Sequence, residues 1–198
     1  MLTPLLALTL HVVIAADTAP VVLASASAKT ETTASVAPSK PARRLTPLES
    51  ALSRKKTFSA DSMVLDKSER RLTMYYRGTP VRTFDVALGK NPVGAKVRRG
   101  DGKTPEGVYF IEGRNPQSKY HLSLRISYPA KKDRARAAMR GVSAGGDIMI
   151  HGLPPAFSDV GALHRQQDWT EGCIAVTNEE IEELWRAVPN GARILIKP

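Results

Sequence analysis

The chain has 198 residues, 42% of them hydrophobic and 24% charged, with a formal net charge of +10. That length holds one domain with its own core and little room for a second, and the composition is that of a soluble globular protein. The basic balance points to an acidic polymer as partner (nucleic acid, anionic lipid or cell wall) or serves solubility alone, and no zinc-finger spacing or aromatic RNA-binding signature supports nucleic acid.

The chain opens with its longest apolar stretch, residues 2–16, which is shorter than the roughly 20 residues that span a bilayer. Its length and small-residue end, at Ala15 or Ala16, predict a secretory signal peptide over 1–16, although no Lys or Arg precedes it; an uncleaved anchor or a buried helix is the alternative. Export places the chain in the periplasm or cell wall and argues against nucleic acid. Residues 17–57 are rich in Ala, Ser, Thr and Pro and read as a flexible tether. Within the tether, Thr46-Pro47-Leu48-Glu49 has the pattern of a helix start, which predicts a short helix over 47–56.

The folded domain is expected over 58–198. Met63-Val64-Leu65 and Leu72 to Tyr76, separated by Lys67-Ser68-Glu69-Arg70, predict a hairpin. Arg77-Gly78 marks a second turn, and Phe84, Val86 and Leu88 alternate with Asp85 and Ala87 as in a third strand, making an antiparallel meander. Gly89 to Gly107 is a long basic loop carrying Lys90, Lys96, Arg98, Arg99 and Lys103. Strands follow over Gly107–Ile111 and His121–Tyr128, then a charged surface helix over Lys131–Arg140 that stops at Gly141. Asp147–His151 is a short strand with His151 at its end. Ile174–Val176 is another. Thr177 and Glu180 form a capping box before Ile181, Leu184, Trp185 and Val188, the apolar stripe of an amphipathic helix. Ala192–Ile196 closes the domain. The class is mainly β with one or two packed helices.

Cys173 is the one cysteine of the chain. Exported chains usually pair their cysteines, so a single thiol in such a chain is either a reactive group or a small buried hydrophobe. A thiol becomes a nucleophile when a nearby imidazole takes its proton and later returns it to the leaving group. His151, at a strand end beside Gly152, is the best placed base, and the Gly152 carbonyl, or a neighbouring one, would hold its other ring nitrogen. His164, in a polar stretch nearer the thiol, is the rival. His121 reads as a partly buried histidine. A tight turn at Gly172 would aim the amides of Gly172 and Cys173 at an oxyanion. Thr170 or Asp168 would cap the turn, and Trp169 would pack in it. Cys173, His151, Asp168 and His164 lack the repeated short spacing of a metal site, so no metal is expected.

Asp168-Trp169-Thr170-Glu171-Gly172-Cys173, with Ile174, Asn178 and His151-Gly152, resembles the L,D-transpeptidase catalytic domain, the YkuD family, in its branch with Asp-Trp-Thr before the cysteine. The resemblance extends to Gly100–Gly107 and Leu124–Pro129 and spans about Asp61 to Pro198. It implies a β-sandwich-like domain, no cofactor, and cleavage of the L,D-amide of a peptidoglycan stem peptide. Cys173 would be acylated as terminal D-alanine leaves, and the amine of a second stem or of a lipoprotein would resolve the thioester. Carbapenem-type β-lactams would acylate the same thiol. Arg125, Tyr128, Thr170 and Glu171 are the candidate substrate contacts. Two positions depart from the family pattern: Glu171 stands where the family has His, and Ala175 where it has Arg. Acceptor choice is thereby left open. Water as acceptor would make the chain a hydrolase, and a non-catalytic wall-binding module held by basic loops is the remaining alternative.

Overall fold

The computed structural model describes residues 59–198. The expected signal peptide, the tether and the 47–56 helix lie outside the described residues.

The first three strands are a meander. In β1 (Ser62–Asp66) and β2 (Arg71–Tyr76) alternate side chains turn inward, so Met63, Leu65, Leu72 and Met74 are fully buried. The turn between them is closed by Asp66, whose Oδ1 accepts from Ser68 Oγ at 2.7 Å and the Glu69 amide at 3.2 Å. Arg77 and Gly78 both have positive φ (50° and 75°), the geometry of a two-residue hairpin turn, and lead into β3 (Thr79–Asp85). The expected alternation of Phe84, Asp85 and Val86 is present and breaks at Ala87. Val86, Ala87 and Leu88 are all buried because the chain crosses the domain there.

After the long loop comes β4 (Gly107–Ser118), then β5 (His121–Ile126), helix α1 (Lys131–Ala138), β6 (Met149–His151), a 3-10 segment (Pro155–Gln166), β7 (Ile174–Ala175), helix α2 (Asn178–Ala187) and β8 (Arg193–Lys197). The eight strands form one sheet in the order β3-β2-β1-β8-β4-β5-β6-β7. β1 with β8 and β6 with β7 are parallel, and the other pairs antiparallel. The sheet bends at β4, which pairs with β8 through Gly107–Phe110 and with β5 from Ile111 onward. Past β3 the chain returns to β7: Ala87 and Ala175 exchange both backbone hydrogen bonds, at 3.0 and 2.9 Å. The two halves of the curled sheet therefore share one core, in which Phe84, Ile111, Leu124, Ile126, Ile150, Ile174 and Ile194 meet. This is the mainly β, sandwich-like architecture that the sequence implied.

Helix α2 starts on the expected capping box: the Glu180 amide donates to Thr177 Oγ1 at 3.3 Å and the Thr177 amide to Glu180 Oε2 at 2.9 Å. Its stripe buries Ile181 and Leu184, and the Arg114 guanidinium lies 4.2 Å over Trp185. Helix α1 is anchored by buried Asp133, which accepts from Tyr109 Oη and the Ala130 amide, both at 3.0 Å.

Candidate active site

The site lies on β5, β6 and β7, on the sheet face opposite the core. Leu124, Ile150 and Ile174 point inward and sit side by side in register. Their neighbours along each strand point the other way. One row on that outer face is Ser123, His151 and Ala175. The next is Arg125 and Met149, with Cys173 continuing the same register. Cys173 and His151 are thus brought to one face of adjacent parallel strands, offset by two residues along the strands.

His151 is held from several sides. Its Nδ1 lies 2.7 Å from the Gly152 carbonyl. A carbonyl only accepts, so Nδ1 carries the proton and Nε2 is left with a free lone pair. Burial pushes the imidazole below its ordinary pKa, and the Gly152 carbonyl opposes this in part, so the ring is neutral at pH 7. Tyr120 packs against it with centroids 4.4 Å apart, and Trp169 meets it edge-on at 5.8 Å. Gly152 must be glycine: a Cβ there would lie 2.5 Å from Asn178 Oδ1 and 2.9 Å from Ile181 Cγ2. That Asn178 oxygen accepts the Leu153 amide at 2.8 Å, fixing the chain just past the histidine.

The turn before Cys173 is built by side chains of its own. Asp168 Oδ1 accepts the Leu88 amide at 2.8 Å, and Oδ2 accepts from Arg70 at 2.9 Å. Thr170 Oγ1 donates to the Cys173 carbonyl at 2.7 Å and accepts the Gly172 amide at 3.1 Å. Gly172 has φ 127°, and a Cβ on it would lie 2.5 Å from the Lys103 carbonyl oxygen.

The Cys173 thiol is partly exposed and donates to the Asp147 carbonyl at 3.5 Å. Burial raises its pKa above the ordinary thiol value, and Asp147 adds to the rise. The Met149 amide and the Lys96 charge pull the other way. The resting pair is therefore a protonated thiol and a neutral imidazole. Asp147 is a residue that the sequence reading passed over. It has φ 57°, rare outside glycine, and its carboxylate accepts from Arg125 at 2.8 Å. The Gly145-Gly146-Asp147 run before the strand was the available signal. Ser123, opposite His151, was also passed over; its buried Oγ has no partner among the described residues.

The other expected site residues divide. Arg125 lies on the site face, half-exposed, between Glu112 and Asp147. Glu171 is at the rim, paired with Lys90 at 2.6 Å. Tyr128 and Thr170 are buried. Tyr128 is buried and donates to the Ala144 carbonyl at 2.9 Å because its ring belongs to the core with Tyr109, and Thr170 is consumed by the turn. The Gly172 amide, expected to face an oxyanion, is likewise taken by Thr170, while the Cys173 amide has no protein acceptor among the turns and loops described. His121 is exposed rather than partly buried, since it stands at the tip of the β4–β5 hairpin, where it meets Glu182 at 2.9 Å. His164 lies in the 3-10 segment beside Trp169, whose Nε1 is 3.5 Å from its Nδ1. Burial and Arg165 bring His164 down to about 4. Among the described residues no group of three or more His, Cys, Asp or Glu converges as a metal site would require.

Beside His151 opens an apolar cavity of about 380 Å³ walled by Tyr120, Leu153, Phe157, Val160, His164 and Trp169. Its size and lining suit a ligand's apolar group.

The sequence matches the family described as YkuD, the L,D-transpeptidase catalytic domain, over residues 60–196. The chain belongs to that family. It is 30% identical over 138 residues to YafK of Escherichia coli K12, named as a candidate L,D-transpeptidase, covering 67% of this chain and 48% of that protein. Among solved structures it is similar to Bd1075 of Bdellovibrio bacteriovorus, with 26% identity and a TM-score of 0.51 over 73% of this chain and 50% of that one. It also shares its fold with the helical cell shape determining protein Pgp2 of Campylobacter jejuni, at 24% identity and a TM-score of 0.51, over 74% of this chain and 53% of that one. This L,D-transpeptidase domain spans about half the length of the relatives it matches.

Proposed function

We propose that the protein is an exported cysteine acyltransferase that cuts the L,D-amide of peptidoglycan stem peptides and passes the acyl group to an amine. The observation that carries this reading is the presence, on the same sheet face, of a thiol and an imidazole whose tautomer is fixed. In the reaction, Cys173 turns from the Asp147 carbonyl toward the scissile carbonyl and gives its proton to His151 Nε2 as the C–S bond forms. The Cys173 amide is the available oxyanion donor. The tetrahedral intermediate collapses as His151 returns the proton to the leaving D-alanine, leaving a thioester on Cys173. An acceptor amine then attacks, again losing its proton to His151, and the thiol is regenerated. Arg125 would take a substrate carboxylate, and the cavity beside His151 an apolar part of the leaving or accepting amine.

Incubation with purified muropeptides, followed by mass analysis of the products, tests this. Cross-linked or amine-exchanged peptides are expected. Trimmed peptides without new amide bonds would make water the acceptor and the protein a hydrolase. Cys173→Ala should abolish both turnover and the mass adduct with a carbapenem while the fold persists. Turnover by Cys173→Ala would overturn the reading, and salt-sensitive binding to sacculi without any turnover would point to a wall-binding module.

A further inference from the structure

Under the basic loop two opposite charges are buried together. The Lys96 and Asp101 side chains are 3% and 6% exposed, with Nζ and Oδ1 2.8 Å apart. Apolar replacements for such a pair are often neutral or stabilising, so its contribution to the fold is no sufficient reason for it. Its surroundings supply another.

Asp101 also accepts the amides of Val97, Arg98 and Lys103, at 2.8, 3.0 and 3.1 Å. Burial opposes its ionisation, but the Lys96 ammonium and these amides hold its carboxyl at about 2. Residues 96–103 are thereby closed into an arch, and the arch leans on the Cys173 turn. The Lys103 carbonyl packs against Gly172 and the Gly102 carbonyl against Gly89, where a Cβ would lie only 2.3 Å from the oxygen. On its far side the arch is tied to the Ser143 carbonyl through the Arg99 amide at 2.8 Å. The charges that act on the Cys173 thiol are Lys96, from the arch, which favours the thiolate, and Asp147, from the turn before β6, which opposes it; Asp101 is paired with Lys96, and His151 stands on the same sheet face. Glu171 is drawn away to Lys90.

We propose that Lys96 is a positioning residue for Cys173: anchored on Asp101, it locks the arch against the nucleophile turn and holds a water-excluded positive charge behind that turn. The charge favours the thiolate as the proton moves to His151, and the arch keeps it at a fixed distance. This inference rests on the reading of Cys173 as the nucleophile.

The test is the pH profile of Cys173 alkylation by iodoacetamide in the full chain, read by intact mass; the chain holds a single cysteine, so every adduct reports this thiol. Lys96→Met should move the profile to higher pH, with alkylation about tenfold slower at pH 7. Lys96→Arg should restore it to within about twofold, and Asp101→Asn should move it to lower pH. A merely structural pair would leave the profile in place or move it the same way in Lys96→Met and Asp101→Asn. Should Lys96→Met fail to fold, Lys96→Met with Asp101→Leu leaves no buried charge unpaired, and its alkylation should still be slower than wild type. A folded Lys96→Met or double variant with the wild-type profile overturns the proposal, as does failure of both to fold. Stem-peptide turnover retained in Cys173→Ala would instead overturn the proposed function, a result the alkylation profile cannot mimic.

Discussion

The β1–β2–β3 meander and the β5–β6–β7 edge belong to one sheet, yet they are held by different means. In the meander, strands of five to seven residues insert methionine and leucine at alternate positions of β1 and β2, and a single phenylalanine from β3. At the site edge the strands are two and three residues long apart from β5. What fixes them is close backbone approach: Gly152 against Asn178 and Ile181, Gly172 against the Lys103 carbonyl, and Thr170 tied to both ends of its turn. The meander trades in buried area, which tolerates substitution by degrees. The edge trades in clearance, which does not.

The sharpest break between the two is Gly172→Ala. With positive φ and the Lys103 carbonyl in the way, the turn must shift, and an ångström of misplacement at a reacting centre costs about 100-fold in rate. Turnover should fall by about that factor, measured as kcat on a muropeptide, while the meander's amide exchange is unchanged. Next in size is Leu72→Ala in β2, which empties a fully buried site. It should cost about 2–5 kcal/mol in a denaturant melt yet leave the turnover of the folded fraction near wild type. If Leu72→Ala lowers kcat as Gly172→Ala does, the two regions are not separable. Thr170→Val removes one hydroxyl that bonds both Gly172 and Cys173, and should cost about 1–2 kcal/mol in stability together with a measurable loss of rate. The smallest effect is expected at Glu171→Gln, whose rim pair with Lys90 is exposed; a thermal melt should barely move.

Acid should also separate the regions. His164 and His151 have folded pKa values below their ordinary 6.5, so the unfolded chain binds protons first as pH falls. The stability these rings contribute is full above about 6.5 and is lost for His164 down to about 4. Both rings are on the site side, so hydrogen exchange should rise there before it rises in β1 and β2.

The meander was legible in the sequence because half-buried strands write their period directly: Met63, Leu65, Leu72 and Met74 are where the alternation puts them. So were the α2 cap and stripe. Other features carried no such signature. β4 runs on to Ser118, past the expected end at Ile111, through a polar stretch held by backbone pairing with β5. The 3-10 segment over 155–166 has no buried residue and so no apolar period to read. Tyr128 stood in a motif that invited a substrate role, and only packing shows its ring inside the core. Lys96 read as one more cation of a basic loop; nothing in composition distinguishes a buried lysine from the more exposed cations around it.

The exchange of hydrogen bonds between Ala87 and Ala175 bears on how a peptide can arrive. It occupies the outer rim of β7, the place where an extended ligand would otherwise add itself as a ninth strand next to the sulfur. Recognition by strand addition is closed at that rim, so the stem peptide of the proposed function would have to lie across the pleats and be gripped by side chains. On that proposal selectivity would belong to Arg125 and the aromatic walls, which can be exchanged one at a time without unpicking the backbone of β6 and β7.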